Sequence, residues 1–444
     1  MMLKATFCFP RDFRWGTATS SHQVEGNNTN NDWWAWEQQP GRIAYEDRSG
    51  RACNWWEDAE RDLNQAAALG TNAHRLSIEW SRVEPRPGIF DRNVLDRYRQ
   101  ILQALHERSI EPMVTLHHFS NPLWLAETGG WAQETVVNAF ERYVRKVVEH
   151  LGDLVPLWIT INEPMVYVTR AYLAVGRSFP PGKNSPRLAA QVVRHMLMAH
   201  AAAYHAIHEL RSNGQVGIAR AVRVFKPPRP RSLLDNWVTQ KLSAVYNDAF
   251  NQALITGKLR RPLGRGRLRG LAHTFDFFGL NYRTLERVGF GPRRAIQLLA
   301  QRLSIPGAEA SVNDSGDTDP QGLLEAIKLA TALKRPIYIT RSGIPDEDDH
   351  QRPRFLLTHL RRVWAAIQFN IPIMGYYYWS LIDSFEWNQG WRERYGLIDL
   401  DVASQDRKLR RSGELYGRIC RSGCIDWETV AEYTPELLDQ MFPG

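Results

Sequence analysis

The segment Thr160-Ile-Asn-Glu-Pro164 places an Asn-Glu pair at the end of an apolar run. A carboxylic acid so placed can exchange a proton with a glycosidic oxygen or a hydroxyl, and the preceding amide can hold a sugar hydroxyl. Other apolar runs also end on polar or aromatic groups: His117 and His118, Asn281, Arg341 and Trp379. The chain holds 16 tryptophans, well above ordinary usage. Indole faces stack on sugar rings, although they also fill cores. The net charge of +8 is carried largely by arginine. Such a balance suits nucleic acid, anionic lipid or phosphorylated ligands. The basic residues are dispersed and no nucleic-acid motif is present, so nucleic acid is not an expected partner. The densest run, Arg260, Arg261, Arg265, Arg267 and Arg269, reads as a solvated loop.

The elements that must carry these groups alternate. Strands are predicted at Phe13–Thr19, Asn72–Ile78, Pro112–His118, Leu157–Asn162, Val216–Arg220, Phe275–Asn281, Pro336–Arg341 and Ile373–Trp379. Helical patterns fill the gaps: Trp55–Leu69, Arg92–Arg108, Gln133–His150, Pro186–Ser212, Asn236–Thr256, Pro320–Lys334 and Arg354–Phe369. Eight strand-and-helix units without a linker predict one α/β domain, a (β/α)8 TIM barrel over residues 1–444. Active sites of that fold lie at the C-terminal strand ends, where the polar groups fall. A basic segment at about 285–315 interrupts the rhythm on the same face. Within it, Pro292–Ile305 reads as a basic amphipathic helix suited to the barrel rim or to an anionic membrane.

Composition closes several alternatives. Hydrophobic residues make up 43% and charged residues 23%, which excludes disorder as the main state. No run approaches the ~20 apolar residues of a membrane span, and the first residues carry no signal-peptide core. The four cysteines, Cys8, Cys53, Cys420 and Cys424, make no disulfide framework and read as reduced thiols. Cys420 and Cys424 lack the paired Cys/His set of a zinc site. The expectation is a cytoplasmic protein, with peripheral membrane contact through the basic segment, and with no metal or cofactor.

From about Phe9 to Arg418 the chain resembles glycoside hydrolase family 1, the β-glucosidase family. Phe9-Pro-Arg-Asp-Phe-Arg-Trp-Gly-Thr-Ala-Thr-Ser-Ser-His-Gln-Val-Glu-Gly26 is similar to the family's opening signature. Arg75-Leu-Ser-Ile-Glu-Trp-Ser-Arg82, Thr115-Leu-His-His118 and Trp379-Ser-Leu-Ile-Asp-Ser-Phe-Glu-Trp387 match further blocks in order. The resemblance implies that Gln23, His118, Glu386 and Trp387 hold sugar hydroxyls and that Asn162 bonds the 2-hydroxyl. It makes Trp379 the stacking platform and Glu163 the acid/base. Arg75 would lie beside the second carboxylate of the retaining pair.

That carboxylate is missing. The family's seventh strand ends Thr-Glu-Asn-Gly, with Glu as nucleophile; this chain reads Thr340-Arg341-Ser342-Gly343. The sixth strand usually ends Asn-Tyr-Tyr and here reads Asn281-Tyr282-Arg283. A looser match adds Arg220 at the fifth strand end. Retaining hydrolysis needs two carboxylates about 5–5.5 Å apart, so ordinary β-glucosidase activity is not expected. The acidic run Asp346 to Asp349 matches a family loop and is not a substitute. Arg75, Arg283 and Arg341 suit an anion on the α side of the anomeric carbon, since guanidinium binds phosphate by paired hydrogen bonds. The expected reaction is inverting β-glycosyl transfer, or phosphorolysis in reverse. Its donor is an α-linked sugar phosphate or nucleotide sugar, its acceptor a hydroxyl, and Glu163 moves the proton. The alternatives are a non-catalytic sugar-binding protein and a weak, atypical β-glycosidase using Glu163 and water.

Overall fold

Eight runs rich in β-branched and aromatic residues pair in parallel and close into a barrel. They are β1 (Arg14–Ala18), β2 (Ala73–Ser77), β3 (Glu111–His117), β4 (Leu157–Asn162), β5 (Gln215–Ala221), β6 (Phe277–Tyr282), β7 (Ile337–Ser342) and β8 (Ile373–Trp379). Each pairs with its neighbours in sequence, and β8 pairs with β1 from Gly375 opposite Arg14 to Trp379 opposite Ala18. The computed structural model describes residues 6–173, 178–291, 300–302 and 319–442. The (β/α)8 expectation holds, with every predicted strand found within two residues of its expected ends.

Helices pack outside the strands: α1 (Trp55–Ala68), α2 (Arg92–Glu107), α3 (Val136–Leu151), α4 (Pro186–Leu210), α5 (Leu233–Ser243), α6 (Ala249–Thr256), α7 (Pro320–Thr331), α8 (Arg352–Gln368) and α9 (Arg411–Ser422). Their starts are chemically marked. Asp91, Ser185 and Asp319 accept hydrogen bonds from the first free N–H groups of α2, α4 and α7. The inward stripe of α3 is typical: Val136, Phe140, Val144, Val147 and Leu151 are all buried. The barrel interior is packed by Met113, Leu157, Ile159, Phe277, Tyr338 and Tyr377 beneath Trp379. Glycine makes room for these rings: a Cβ at Gly217 would stand 2.4 Å from Phe277 Cε2.

Beyond the C-terminal ends of β5 and β6 the chain adds a rim sheet. Val224–Lys226 runs parallel to Leu285–Phe290, which pairs antiparallel with Ala300–Arg302. The helix expected over Pro292–Ile305 is therefore corrected at Ala300–Arg302, which is strand; backbone pairing to the open edge of Leu285–Phe290 outweighs the amphipathic pattern. The remainder of that segment lies outside the described residues.

The reading of four reduced thiols is also corrected. Strands Thr6–Cys8 and Cys424–Asp426 pair antiparallel with Cys8 opposite Cys424, and a disulfide joins them. Cys53 and Cys420 are free and buried. Disulfides persist mainly in oxidising surroundings, so the ground for a cytoplasmic location is removed. No helix among the described residues is long and apolar enough to cross a membrane. Breaking the bond, by reductant or by Cys8→Ser, is expected to cost about 2–5 kcal/mol. For a chain of this length that is a fall of roughly 2–5 °C in melting temperature. Identical calorimetric melts with and without reductant would show that the clasp adds nothing.

Candidate functional site

Two β-bulges aim the central groups. On β4 the register to β5 slips between Ile159 and Asn162, and on β7 the register to β6 slips so that Thr340 is extra. Normal alternation would send every second side chain outward. The slips instead leave Asn162 and Glu163 in hydrogen-bond contact with Asn281, which Thr340 also bonds, while Arg341 lies over Trp379. Glu163 completes the turn with a positive φ of 45°, its N–H donating to Ala219 O at 2.8 Å.

A buried polar network supports Glu163. Asn281 Nδ2 donates to Glu163 Oε1 at 2.7 Å and to Asn162 Oδ1 at 3.1 Å. Thr340 Oγ1 donates to Asn281 Oδ1 at 2.7 Å. Asn162 Nδ2 meets His118 Nε2 at 3.0 Å. Arg75 donates to Asn162 Oδ1 at 2.7 Å, to Thr115 Oγ1 at 3.0 Å and to the Thr340 carbonyl at 3.0 Å. Arg75 therefore reaches the site through Asn162, not as a donor offered to a ligand. Burial brings its guanidinium down to about 9, with Arg341 adding to the fall and Glu163 opposing it.

The other wall is built from β8 and the loop after it. Gln23 Nε2 donates to Glu386 Oε1 at 3.0 Å, and Trp379 Nε1 donates to the same oxygen at 3.1 Å. Trp387 is buried and stacks on His22 and His118, with centroids 5.6 and 6.1 Å apart. Arg341, only 2% exposed, lies between the walls. Its Cζ stands 4.3 Å over the Trp379 ring, and its Nη2 is 3.8 Å from Glu386 Oε2. The platform and the carboxylate expected to hold sugar are thus covered by Arg341 in this structure. Neither Nη1 nor Nη2 of Arg341 has a hydrogen-bond partner, although both are buried. Burial depresses Arg341's pKa, and Arg283 depresses it further.

Arg283 closes the circle. Tyr282 turns outward to donate to Asp319 O at 2.7 Å, so the next residue turns inward. Arg283 Nη2 lies 3.7 Å from Glu163 Oε2. Burial alone would raise the pKa of Glu163, but Arg283, Arg341, the Asn281 hydrogen bond and Arg75 together hold it below the ordinary carboxylate value. Glu163 is accordingly a carboxylate at neutral pH, in the state that can accept a proton and not the one that can donate it, and the same arginines lower its proton affinity.

All ten expected site residues lie at the C-terminal end of the barrel, Arg75 one layer beneath. Arg220 does not join them. It points outward between β5 and α6, donating to Asn251 and to the carbonyls of Tyr246 and Asn247 over the Phe250 ring. The acidic run is structural: Asp346 caps the start of α8, and Asp349 pairs with Arg352. Two residues near the site, Tyr395 and Arg170, carry no sequence signal, and a third was only partly legible. Asn281 was visible only as a polar strand end. Tyr395, buried with its ring 5.7 Å from Arg341, comes from a loop, and Arg170, whose charge is felt by Arg283 and Glu163, comes from the single helical turn Thr169–Leu173, too short to show a period.

Comparison with known proteins agrees with this layout. A β-glycosidase from Pyrococcus horikoshii superposes with a TM-score of 0.89 at 37% identity, over 97% of this chain and 98% of that one. A β-glucosidase from Thermotoga maritima in complex with glucoimidazole gives 0.88 at 28% identity, over 94% and 99% of the two chains. A β-galactosidase from Sulfolobus acidocaldarius is 28% identical across 95% of this chain and 96% of its own length. The model described as glycosyl hydrolase family 1 matches residues 5–423. With the barrel, the polar cluster at its strand ends and a family match over residues 5–423 in agreement, the chain belongs to glycosyl hydrolase family 1.

Proposed function

We propose that this β-glucosidase-like family member is an inverting β-glycosyltransferase whose donor carries an anionic, α-linked leaving group. The observation that carries the reading is charge placement. Glu163 is held ionised, while Arg341 Nη1 and Nη2 and Arg283 Nε, all buried, lack hydrogen-bond partners beside it, their only acidic contacts among the described residues being ion pairs at 3.7–3.8 Å. Buried donors left unpaired are costly, and an anion would satisfy them. In the reaction, an acceptor hydroxyl gives its proton to Glu163. Its oxygen bonds to the anomeric carbon from the β side. The bond to the phosphate oxygen breaks, and that oxygen leaves with the electron pair. Arginine acts where negative charge grows on the departing group, which is where it helps the transition state most. For this, Arg341 must leave the Trp379 face, exchanging an indole contact for a phosphate.

A second reading has its own observation. Arg341 over Trp379 and against Glu386 covers the expected sugar floor, as a protein that only binds ligands, or is held shut, would allow. The two separate on product analysis. A panel of sugar phosphates and nucleotide sugars with hydroxyl acceptors should yield β-linked product under the first reading and none under the second. Binding is measurable independently of turnover. Phosphate, pyrophosphate or a nucleoside diphosphate is expected to raise the melting temperature, as ligands of the folded state do. Arg341→Ala should weaken that binding by ~1.5–3 kcal/mol, roughly 10- to 150-fold. Equal affinity of wild type and variant would move the anion elsewhere.

A further inference from the structure

Helix α5 turns an apolar ridge to solvent. Leu233 is 86% exposed, Leu234 54% and Trp237 46%. They lie within one turn of each other and so form a single projection. The ridge stands on a firm base. Asp235, Val238 and Thr239 face the protein and are buried. Ser232 caps the helix by accepting from the Asp235 N–H. Asp235 accepts from the Phe290 N–H at 2.8 Å and pairs with Arg229 at 2.7 Å. Exposure here is a built feature of the helix start, not fraying.

Cations border the ridge. Arg231 precedes it by two residues, and Lys241 lies one turn beyond Trp237 on the same face. Both are exposed, and neither forms an ion pair among the described residues. Asp235, the only acidic residue between Ser232 and Asp248, is already neutralised by Arg229. We infer that Leu233, Leu234 and Trp237 dock this face of the barrel on an anionic lipid bilayer. Leucine inserts into the acyl boundary, tryptophan sits at the headgroup level, and Arg231 and Lys241 meet the lipid phosphates. Two observations favour lipid over protein. Three side chains fall far short of the ~800 Å² per partner of a stable protein interface. A second copy would also bring an equally cationic border against this one.

The placement gives the surface a purpose. Helix α5 packs on Val224–Lys226 and Leu285–Phe290, which extend β5 and β6 past their C-terminal ends. The helix that carries the ridge therefore lies at the C-terminal end of the barrel, the end that also carries Glu163. The docking stands whether or not the transfer reading does. If both hold, a lipid-borne hydroxyl or phosphate is the substrate class within reach.

The test is co-sedimentation of the full chain with vesicles of phosphatidylcholine alone and of phosphatidylcholine mixed with phosphatidylglycerol. Wild type should bind the mixed vesicles, and added salt should weaken binding. Each basic residue near an anionic surface contributes about fivefold, so Arg231→Ala with Lys241→Ala should lose roughly 25-fold on mixed vesicles. Leu233→Ser, Leu234→Ser and Trp237→Ser together should lose at least about tenfold, with a cooperative thermal melt retained because these groups are about half or more exposed. Wild type that ignores both vesicles, or a triple variant that binds as wild type does, overturns the proposal. So does equal binding to both vesicle types. A wild-type dimer that the triple variant dissolves, without vesicle binding, would assign the ridge to a second copy and overturn it as well.

Discussion

Purified protein given 4-nitrophenyl β-glucoside or β-galactoside is expected to release the aryl group at least roughly 10⁴-fold more slowly than an ordinary β-glucosidase. The transition state of retaining hydrolysis puts positive charge on the sugar ring. A guanidinium about 5 Å from it, at an effective dielectric near 20, opposes that charge by roughly 3 kcal/mol. On the reading that Arg341 stands in place of a carboxylate, losing that carboxylate costs a similar amount, for a swing of about 6–7 kcal/mol. At about 1.36 kcal/mol per decade this is roughly 10⁴–10⁵ in rate. The acid side is weakened too, because the arginines that surround Glu163 keep it ionised. Turnover of tens per second would reveal another nucleophile and remove the charge argument. Arg341→Glu is not expected to restore hydrolysis, since Arg283 would remain to pair with the new carboxylate.

Glu163→Gln carries the second large effect. Glutamine keeps the shape and the Asn281 contact but accepts no proton, so β-transfer should fall about 10²–10⁴-fold. Anion binding should be kept or tightened, because a negative charge leaves a pocket that holds Arg283 and Arg341. The pH dependence follows in sign. With its folded pKa held down, Glu163 on the transfer reading would serve as base above that pKa, so the acid limb of wild-type transfer should lie below the ordinary carboxylate range. The same depression stabilises the fold above the unfolded pKa and is lost as pH falls through the folded one. Equal transfer by wild type and variant, or an α-linked product, would refute the assignment.

The residues that proved legible were those whose periodicity and neighbours fix them. Alternating apolar runs placed all eight strands, and the strand ends placed Asn162, Glu163, Asn281 and Arg341 on one face. What the pattern did not carry was the aim of each side chain. The bulges on β4 and β7 decide that, and no residue type marks them. Arg220 was misjudged because being at a strand end says nothing about facing inward or outward; one step of alternation sends it to α6. The sequence also held no sign that Arg341 would lie across Trp379, because that contact joins two strands through an indole face. Cys8 and Cys424 misled for a related reason. Partners so distant in sequence are made neighbours only by the barrel.

That clasp changes what a cut would do. The seam between β8 and β1 joins the most distant strands of the barrel, and without the bond its closure would span the whole intervening chain. With Cys8 tied to Cys424, the seam is closed instead through the short stretch from Cys8 to Arg14 and the longer one from Trp379 to Cys424. A protease nick in any loop between the two cysteines would therefore leave a single covalent molecule. On a gel it would run as one band until the sample is reduced, and the fragments would part only then.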